Sequence, residues 1–240
     1  MARGEAMAVN ELQVGYEVVA AHAGKAPALV SVLQVTGRDR IQWLHKLVTA
    51  DVEHLAAGQG ARGALLEAKG HFVADFVILA FAESILLLVE PGAREILLND
   101  LRRYIIREKV QVADESDRWQ LWTVVGPESD VAVLRAFGQT APAPPFHWTR
   151  AEWQGTALDL FHHPRAVFPA TDILAPVEVG DGLSRALDVP EITPALLEVL
   201  RVEAGLPRWG VDFDSGTLAL EIPDVMSIRV DQGCYVGQEV

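Results

Sequence analysis

Apolar and polar positions alternate along this chain in short blocks whose period keeps changing. Ala28 to Val35 is a run of strand type that enters a turn at Thr36 and Gly37. From Asp39 to Val48 the apolar residues Ile41, Trp43, Leu44, Leu47 and Val48 recur at helical spacing. Ala64 to Leu66 and Phe72 to Phe81 read as strands joined through a turn at Lys69-Gly70, and Ser84 to Val89 reads as a third strand closed by Pro91-Gly92. Ala93 to Ile106 is predicted helical, with Ile96, Leu97, Leu101, Tyr104 and Ile105 along one side. Val110 to Val112 and Trp119 to Val125 return to strand character. A proline-rich break at Ala141 to Pro145 marks a loop between two halves. Beyond it, Trp153 to Leu160 and Ile173 to Val179 are strand-like, and Pro194 to Ala204 is a helix with proline in its first turn. Irregular alternation with hairpin-like pairs predicts an α+β fold rather than a regular doubly wound sheet.

Half of the 240 residues are hydrophobic, enough for one large core or two smaller ones. The greasiest stretch, Phe72 to Val89, is interrupted by Asp75 and Glu83 and fits two buried strands rather than a membrane span. The first ten residues contain Arg3 and Glu5 and no apolar run, which is not the pattern of a signal peptide. One cysteine forms no internal disulfide and fits a cytoplasmic protein. The net charge of −13 repels polyanions at long range and argues against a dedicated non-specific nucleic-acid binder. It leaves room for a local basic patch or a small anionic ligand.

Candidate chemistry is confined to a few segments. Gly58 to Gly63 spells G-x-G-x-x-G, but a strand-like run follows it instead of a helix, so it reads as a flexible turn and not a dinucleotide site. Asp212 and Asp214 lack the distal glutamate of a calcium loop and read as a solvated turn. His162 and His163 are adjacent, so in an extended chain they point oppositely; no protein-only metal site is expected. Arg102, Arg103, Arg107 and Lys109, interleaved with Tyr104, read either as the solvated face of a helix or as an anion clamp. Arg201, Glu203, Arg208 and Trp209 lie where a helix runs into a turn. There an arginine and a tryptophan serve packing, or hold a flat aromatic ligand that carries a carboxylate. The only cysteine, Cys234, sits between Gly233 and Tyr235-Val236-Gly237-Gln238-Glu239. It is either a structural thiol in a tight turn or a presented nucleophile, and Asp231 and Glu239 nearby would raise its pKa.

Gly233-Cys234-Tyr235-Val236-Gly237-Gln238-Glu239 resembles the K-G-C-Y-x-G-Q-E signature of YgfZ-type folate-binding proteins, which belong to the superfamily of the glycine-cleavage T-protein, an aminomethyltransferase. Val35 to Asp39 with Trp43, Leu44, Leu47, Thr49 and Asp51, the hairpin from Ala68 to Phe76, Tyr104 to Val110, and Arg201 to Asp214 resemble further blocks of that superfamily, so the likeness spans roughly residues 30 to 240. It implies an α+β folate-binding unit of intertwined ferredoxin-like halves, here approximately 1–117 and 118–240, around tetrahydrofolate. The family's C-terminal β-barrel would be absent or truncated.

The resemblance also implies roles. Tetrahydrofolate or a one-carbon derivative would be the cofactor, with Asp75 at the pterin edge and Arg201, Glu203, Arg208 and Trp209 as further contacts. Cys234 would be the functional thiol, positioned by Tyr235 and Gln238. The implied work is iron–sulfur cluster assembly or repair, with assembly proteins as partners and a link to tRNA modification. Aminomethyl transfer or demethylation is the alternative. Two departures bear on that choice. Aminomethyltransferases carry an Asp-Asp pair whose first acid is catalytic, where this chain has Ala74-Asp75, and the signature's lysine is Gln232 here.

Overall fold

A computed structural model of the chain describes residues 2–222, 228 and 235–238, the side chains of residues 2–8 excepted. In chain order its elements are α1 (Ala2–Ala21), β1 (Gly24–Ala28), β2 (Ser31–Thr36), α2 (Arg40–His45), β3 (Gly60–Leu66), β4 (Phe72–Ala80), β5 (Ser84–Val89), α3 (Arg94–Arg103), β6 (Gln111–Asp114) and β7 (Trp119–Val125). They continue with α4 (Ser129–Phe137), β8 (Trp148–Trp153), β9 (Thr156–His162), β10 (Ala170–Pro176), α5 (Gly180–Ala186) and α6 (Pro194–Glu203).

The chain forms two compact units, each assembled from two stretches: Met1–Ala28 with Arg118–Leu206, and Leu29–Asp117 with Pro207–Val240. Each holds one five-stranded antiparallel sheet, ordered β1-β7-β10-β9-β8 in the first unit and β3-β4-β5-β2-β6 in the second. Set β3 aside and the second sheet runs fourth, first, third, second strand of a β-α-β-β-α-β unit, the ferredoxin-like order. The first sheet repeats it once β8 is set aside, with one difference: its fourth strand is β1, from the start of the chain. The expected ferredoxin-like halves are therefore found. A division near residue 117 coincides with one of the crossings, but each unit also takes a segment from beyond it.

Strand and helix positions follow the apolar pattern. In the second unit, α2 and α3 lay Trp43, Leu44, Leu97 and Leu101 over Leu33, Val35, Phe76, Ile78, Ile85 and Leu87. Every residue of β4 is buried, which accounts for its unbroken apolar run despite Asp75. In the first unit, α4 and α5 bring Val133, Phe137 and Leu183 onto Trp122, Val124, Leu158, Leu160 and Ile173. Helices α1 and α6 approach so closely at Gly15 that a Cβ there would lie 2.8 Å from Leu196.

Several sequence expectations change. The helices α1, α4 and α5 were not anticipated. The segment Trp153 to Leu160 is not one strand: Gln154 (φ 51°) and Gly155 (φ 79°) form a two-residue turn with both φ positive, which closes the hairpin β8–β9. The proline-rich break joins α4 to β8 inside the first unit and separates no domains. The G-x-G-x-x-G run is a turn only at its start, since Gly60 to Gly63 belong to β3. Gly63 faces Ala50, where a Cβ would lie 2.7 Å from the Ala50 Cβ, and Thr49 bonds Ala64 through both its backbone and its hydroxyl. That glycine admits a neighbouring chain segment rather than a phosphate.

Candidate functional site

The hairpin β3–β4 of the second unit carries the site. Its strands pair Ala64 with Asp75 and Leu66 with Phe72, and the register shifts between Leu65 and Leu66. Strand alternation leaves Ala74, with Phe76 and Ile78, in the apolar cluster beneath the helices and puts Asp75, paired with Ala64, on the other face; the bulge at Val73 brings Phe72, paired with Leu66, onto that same face. There Ala64, Leu66, Phe72, Phe213, Ala219 and Tyr235 form a second cluster, against which Trp209 packs. Phe72 and Phe213 hold their ring centroids 4.8 Å apart.

Asp75 is only 7% exposed. Its Oδ2 accepts from Arg62 at 2.8 Å, while Oδ1 is buried with no hydrogen-bond donor among the described residues. The Trp209 indole N–H is likewise buried and unpartnered there. The matching hairpin of the first unit makes a sharp contrast. In β8–β9, Arg150 spans both oxygens of Asp159, at 2.9 and 3.2 Å. Burial still raises the Asp159 pKa, against the pull of Arg150. The fold thus closes this Arg–Asp pair completely in one hairpin and leaves an oxygen open in the other.

Residues 235–238 are fastened to the same hairpin. The Gln238 side chain accepts from the Tyr235 N–H at 3.3 Å, and the Gln238 N–H donates to the Tyr235 carbonyl. Tyr235 is buried among the aromatic rings, and that burial raises its hydroxyl pKa. Gly237 has φ +83°, and a Cβ there would lie 2.5 Å from the Glu67 carbonyl oxygen and 3.0 Å from the Leu66 Cβ. Gly138 offers a control: its φ is +73°, but nothing lies within 4 Å of the point a Cβ would occupy. Gly138→Ala is expected to cost about 1 kcal/mol of backbone strain alone. Gly237→Ala adds a collision with backbone and is expected to cost about 2–4 kcal/mol in all. Urea unfolding of the two variants checks this; equal losses would show that the turn is not held against the hairpin.

Of the other sequence candidates, Arg208 and Trp209 lie in the second unit. The Asp212 carboxylate accepts from the Arg208 N–H at 2.9 Å, and the Gly210 N–H donates to the Phe213 carbonyl at 2.7 Å, which shapes the loop that carries Trp209. Arg201 and Glu203 belong to the first unit. Arg201 reaches Glu198 at 2.6 and 3.0 Å and the Leu206 carbonyl, while Glu203 accepts from the Tyr16 hydroxyl at 3.0 Å. Both thus serve the packing of α6. Cys234 lies outside the described residues, as does Glu239. Asp214 closes its turn by accepting from the Gly216 N–H, and His162 and His163 diverge to Asp130 and Asp172. Among the described residues, no group of three His, Cys, Asp or Glu is arranged to hold a metal, and no helix is long and apolar enough to cross a membrane. Sequence reasoning missed Arg62. Pairing β3 with β4 through the Lys69-Gly70 turn puts it two positions from Ala64 on the Asp75 face.

This geometry sits inside a recognised family. The model of the GCVT N-terminal domain matches residues 28–159, more than half of the chain, and the chain belongs to that family. Its relatives include an aminomethyltransferase of Rubrobacter xylanophilus, 28% identical over 212 residues covering 84% of this chain and 56% of that protein. The tRNA-modifying protein YgfZ of Vibrio vulnificus is 25% identical over 210 residues, covering 88% and 62%, and that of Escherichia coli 26% over 214, covering 86% and 62%. The chain therefore spans 56–62% of the length of these relatives. The solved glycine cleavage system aminomethyltransferase T of Bartonella henselae shares the fold, with a TM-score of 0.80 at 18% identity over 95% of this chain and 64% of that one.

Proposed function

We propose that this chain binds tetrahydrofolate, or a one-carbon derivative of it, with the pterin against the Asp75 face of the second unit. In this reading it serves tRNA modification and iron–sulfur cluster maintenance and is not itself a transferase. The observation that carries the ligand is the open Asp75 oxygen. A buried carboxylate oxygen stripped of water and given no donor costs free energy, and a ligand N–H restores it. A pterin edge presents a ring N–H and an amino group side by side, while its flat face suits the partly buried Trp209 ring, which Phe72 and Phe213 back from within the cluster. Arg62 holds the other Asp75 oxygen and balances its charge. Arg208, in the same unit, is the candidate for the rest of the folate, and Cys234, set by Tyr235 and Gln238, for the thiol chemistry.

Calorimetric titration with tetrahydrofolate tests the first part: saturable heat is expected, and none at millimolar ligand would sink it. A Cys234→Ser variant in a deletion strain tests the second; full recovery of cluster-enzyme activity removes the thiol from the mechanism.

Folate-dependent aminomethyl transfer is the second reading, favoured by the aminomethyltransferase among the relatives. Against it, the position where the resemblance expects the catalytic acid is Ala74, fully buried under the helices. Asp75 would have to supply the acid instead. Turnover of a methylamine donor with tetrahydrofolate decides between them.

A further inference from the structure

The turn after α3 gathers cations in a chain whose net charge is −13. Arg102, Arg103, Arg107 and Lys109 lie on or beside it, and all are exposed. Lys46 acts electrostatically on Glu108, and Arg38 lies 3.5 Å from Asp39. Two carboxylates of this region are tied to backbone N–H groups. The Glu108 carboxylate accepts from the backbone N–H groups of Arg107 at 2.9 Å and Ile106 at 3.0 Å, which lowers its pKa. The Asp39 carboxylate accepts from the Lys109 N–H at 2.8 Å. Gly37, with φ +103°, approaches so closely that a Cβ would lie 2.1 Å from the Lys109 carbonyl. The turn is therefore clamped from both sides, with Glu108 and Asp39 bonded to backbone and Arg107 and Lys109 exposed beside them, while Arg102 donates to the Val112 carbonyl at 3.1 Å. Arg103 touches Asp100 at 2.9 Å, but that pair is largely exposed and exchanges partners at little cost.

Two apolar groups stand among these cations. Ile106 is 81% exposed and Tyr104 36%. Bare isoleucine at the tip of a rigid turn gains nothing from water. An acidic protein partner would use the charges, but a strand of RNA uses both features: phosphates meet the cations, and unstacked bases lie on the tyrosine ring and the isoleucine.

We propose that residues 103–109 are the contact surface for a tRNA, with Arg103, Arg107 and Lys109 on phosphates and Tyr104 and Ile106 against bases of an exposed loop. The proposal rests on the reading that this chain serves tRNA modification, and it is independent of the folate site. Its local cations give the polyanion a place to land on a surface that otherwise repels it.

The test is fluorescence anisotropy of a labelled, unmodified tRNA transcript with the full chain at 50 and 200 mM salt. Three phosphate contacts predict that affinity falls roughly 20–40-fold between those concentrations. In Arg107→Ala the fall is expected to shrink to roughly 7–12-fold. Ile106→Ser is expected to weaken binding at both salts and leave the slope unchanged. Thermal melts establish that the variants fold, and tetrahydrofolate calorimetry on the same samples keeps the two readings apart. Lost folate heat in the parent with tRNA binding intact would sink the folate site alone. Parental affinity and slope in Arg107→Ala and in the charge-reversed Arg107→Glu, Lys109→Glu double variant would overturn the RNA surface. So would competition by polyglutamate as effective as that by unlabelled tRNA, which would assign the turn to an acidic protein.

Discussion

Asp172→Ala is expected to destabilise the first unit by about 3–5 kcal/mol, the largest loss of any single substitution considered for this chain. Asp172 has no solvent exposure. It accepts from the Thr123 hydroxyl, from His163 Nδ1 at 2.8 Å and from the Arg165 guanidinium, one of whose bonds is 3.1 Å. Removing it leaves a half-buried guanidinium, an imidazole and a buried hydroxyl without their common acceptor, and desolvated donors are costly to strand. At roughly 2–4 °C per kcal/mol for a chain of this size, the melting temperature should fall by roughly 6–20 °C. The acid response gives a second readout. Burial alone would raise the Asp172 pKa, but Arg165 and then His163 outweigh it and hold the carboxyl below its ordinary value. A carboxyl depressed on folding contributes its full stability above the unfolded value near 3.9 and loses it as pH falls through the native value. The parent should therefore weaken below about pH 4 through this group, and the alanine variant should lack that component. Unchanged melting in Asp172→Ala would mean that the cluster contributes nothing net.

What could be read from the sequence was what local pattern encodes. The strands β4 and β5 and the helix α6 announce themselves through long apolar runs or a proline start, and the Lys69-Gly70 turn announces that β3 pairs with β4. The fourth strand of the first sheet was not legible. Gly24–Ala28 is five residues with a proline inside, and only its non-local pairing with β7 makes it a strand. A linear reading had therefore no reason to send the start of the chain into the later sheet. Hairpin β8–β9 was missed for a smaller reason: its turn is Gln154-Gly155, and glutamine is not a residue that advertises positive φ.

The site was legible in its parts and not in its assembly. Asp75, Trp209, Tyr235 and Gln238 each stand out in the chain, but they lie 3 to 163 positions apart, and spacing says nothing of a shared face. The bulge between Leu65 and Leu66 decides that Phe72 leaves the helix-covered cluster, which Val73 and Ala74 both keep, and joins the Asp75 face. A bulge has no sequence signature here beyond the absence of strict alternation. Arg201 and Glu203 show the opposite case. Their place at the end of a helix suits a ligand, yet in the structure their charges meet Glu198 and Tyr16.

Asp75→Ala is expected to lower tetrahydrofolate affinity roughly 10–100-fold, the value of a hydrogen bond to a charged acceptor. Two hairpins of the same design differ at this acid. Arg150 satisfies both oxygens of Asp159, so neither is left without a donor for a ligand to supply, and Asp159→Ala should leave folate affinity as it was. Arg62 occupies only one oxygen of Asp75. The substitution will also cost stability, because Arg62 loses its partner, so affinity must be measured well below the melting temperature of each variant. Asp75→Asn separates charge from shape. If its amide oxygen stays with Arg62, the open position becomes an N–H donor and faces the donors of the pterin edge, which repels where the carboxylate attracts. Asparagine is therefore expected to bind tetrahydrofolate no better than alanine does. Parental affinity in both Asp75 variants would remove this carboxylate from the ligand site and move the pterin elsewhere in the molecule.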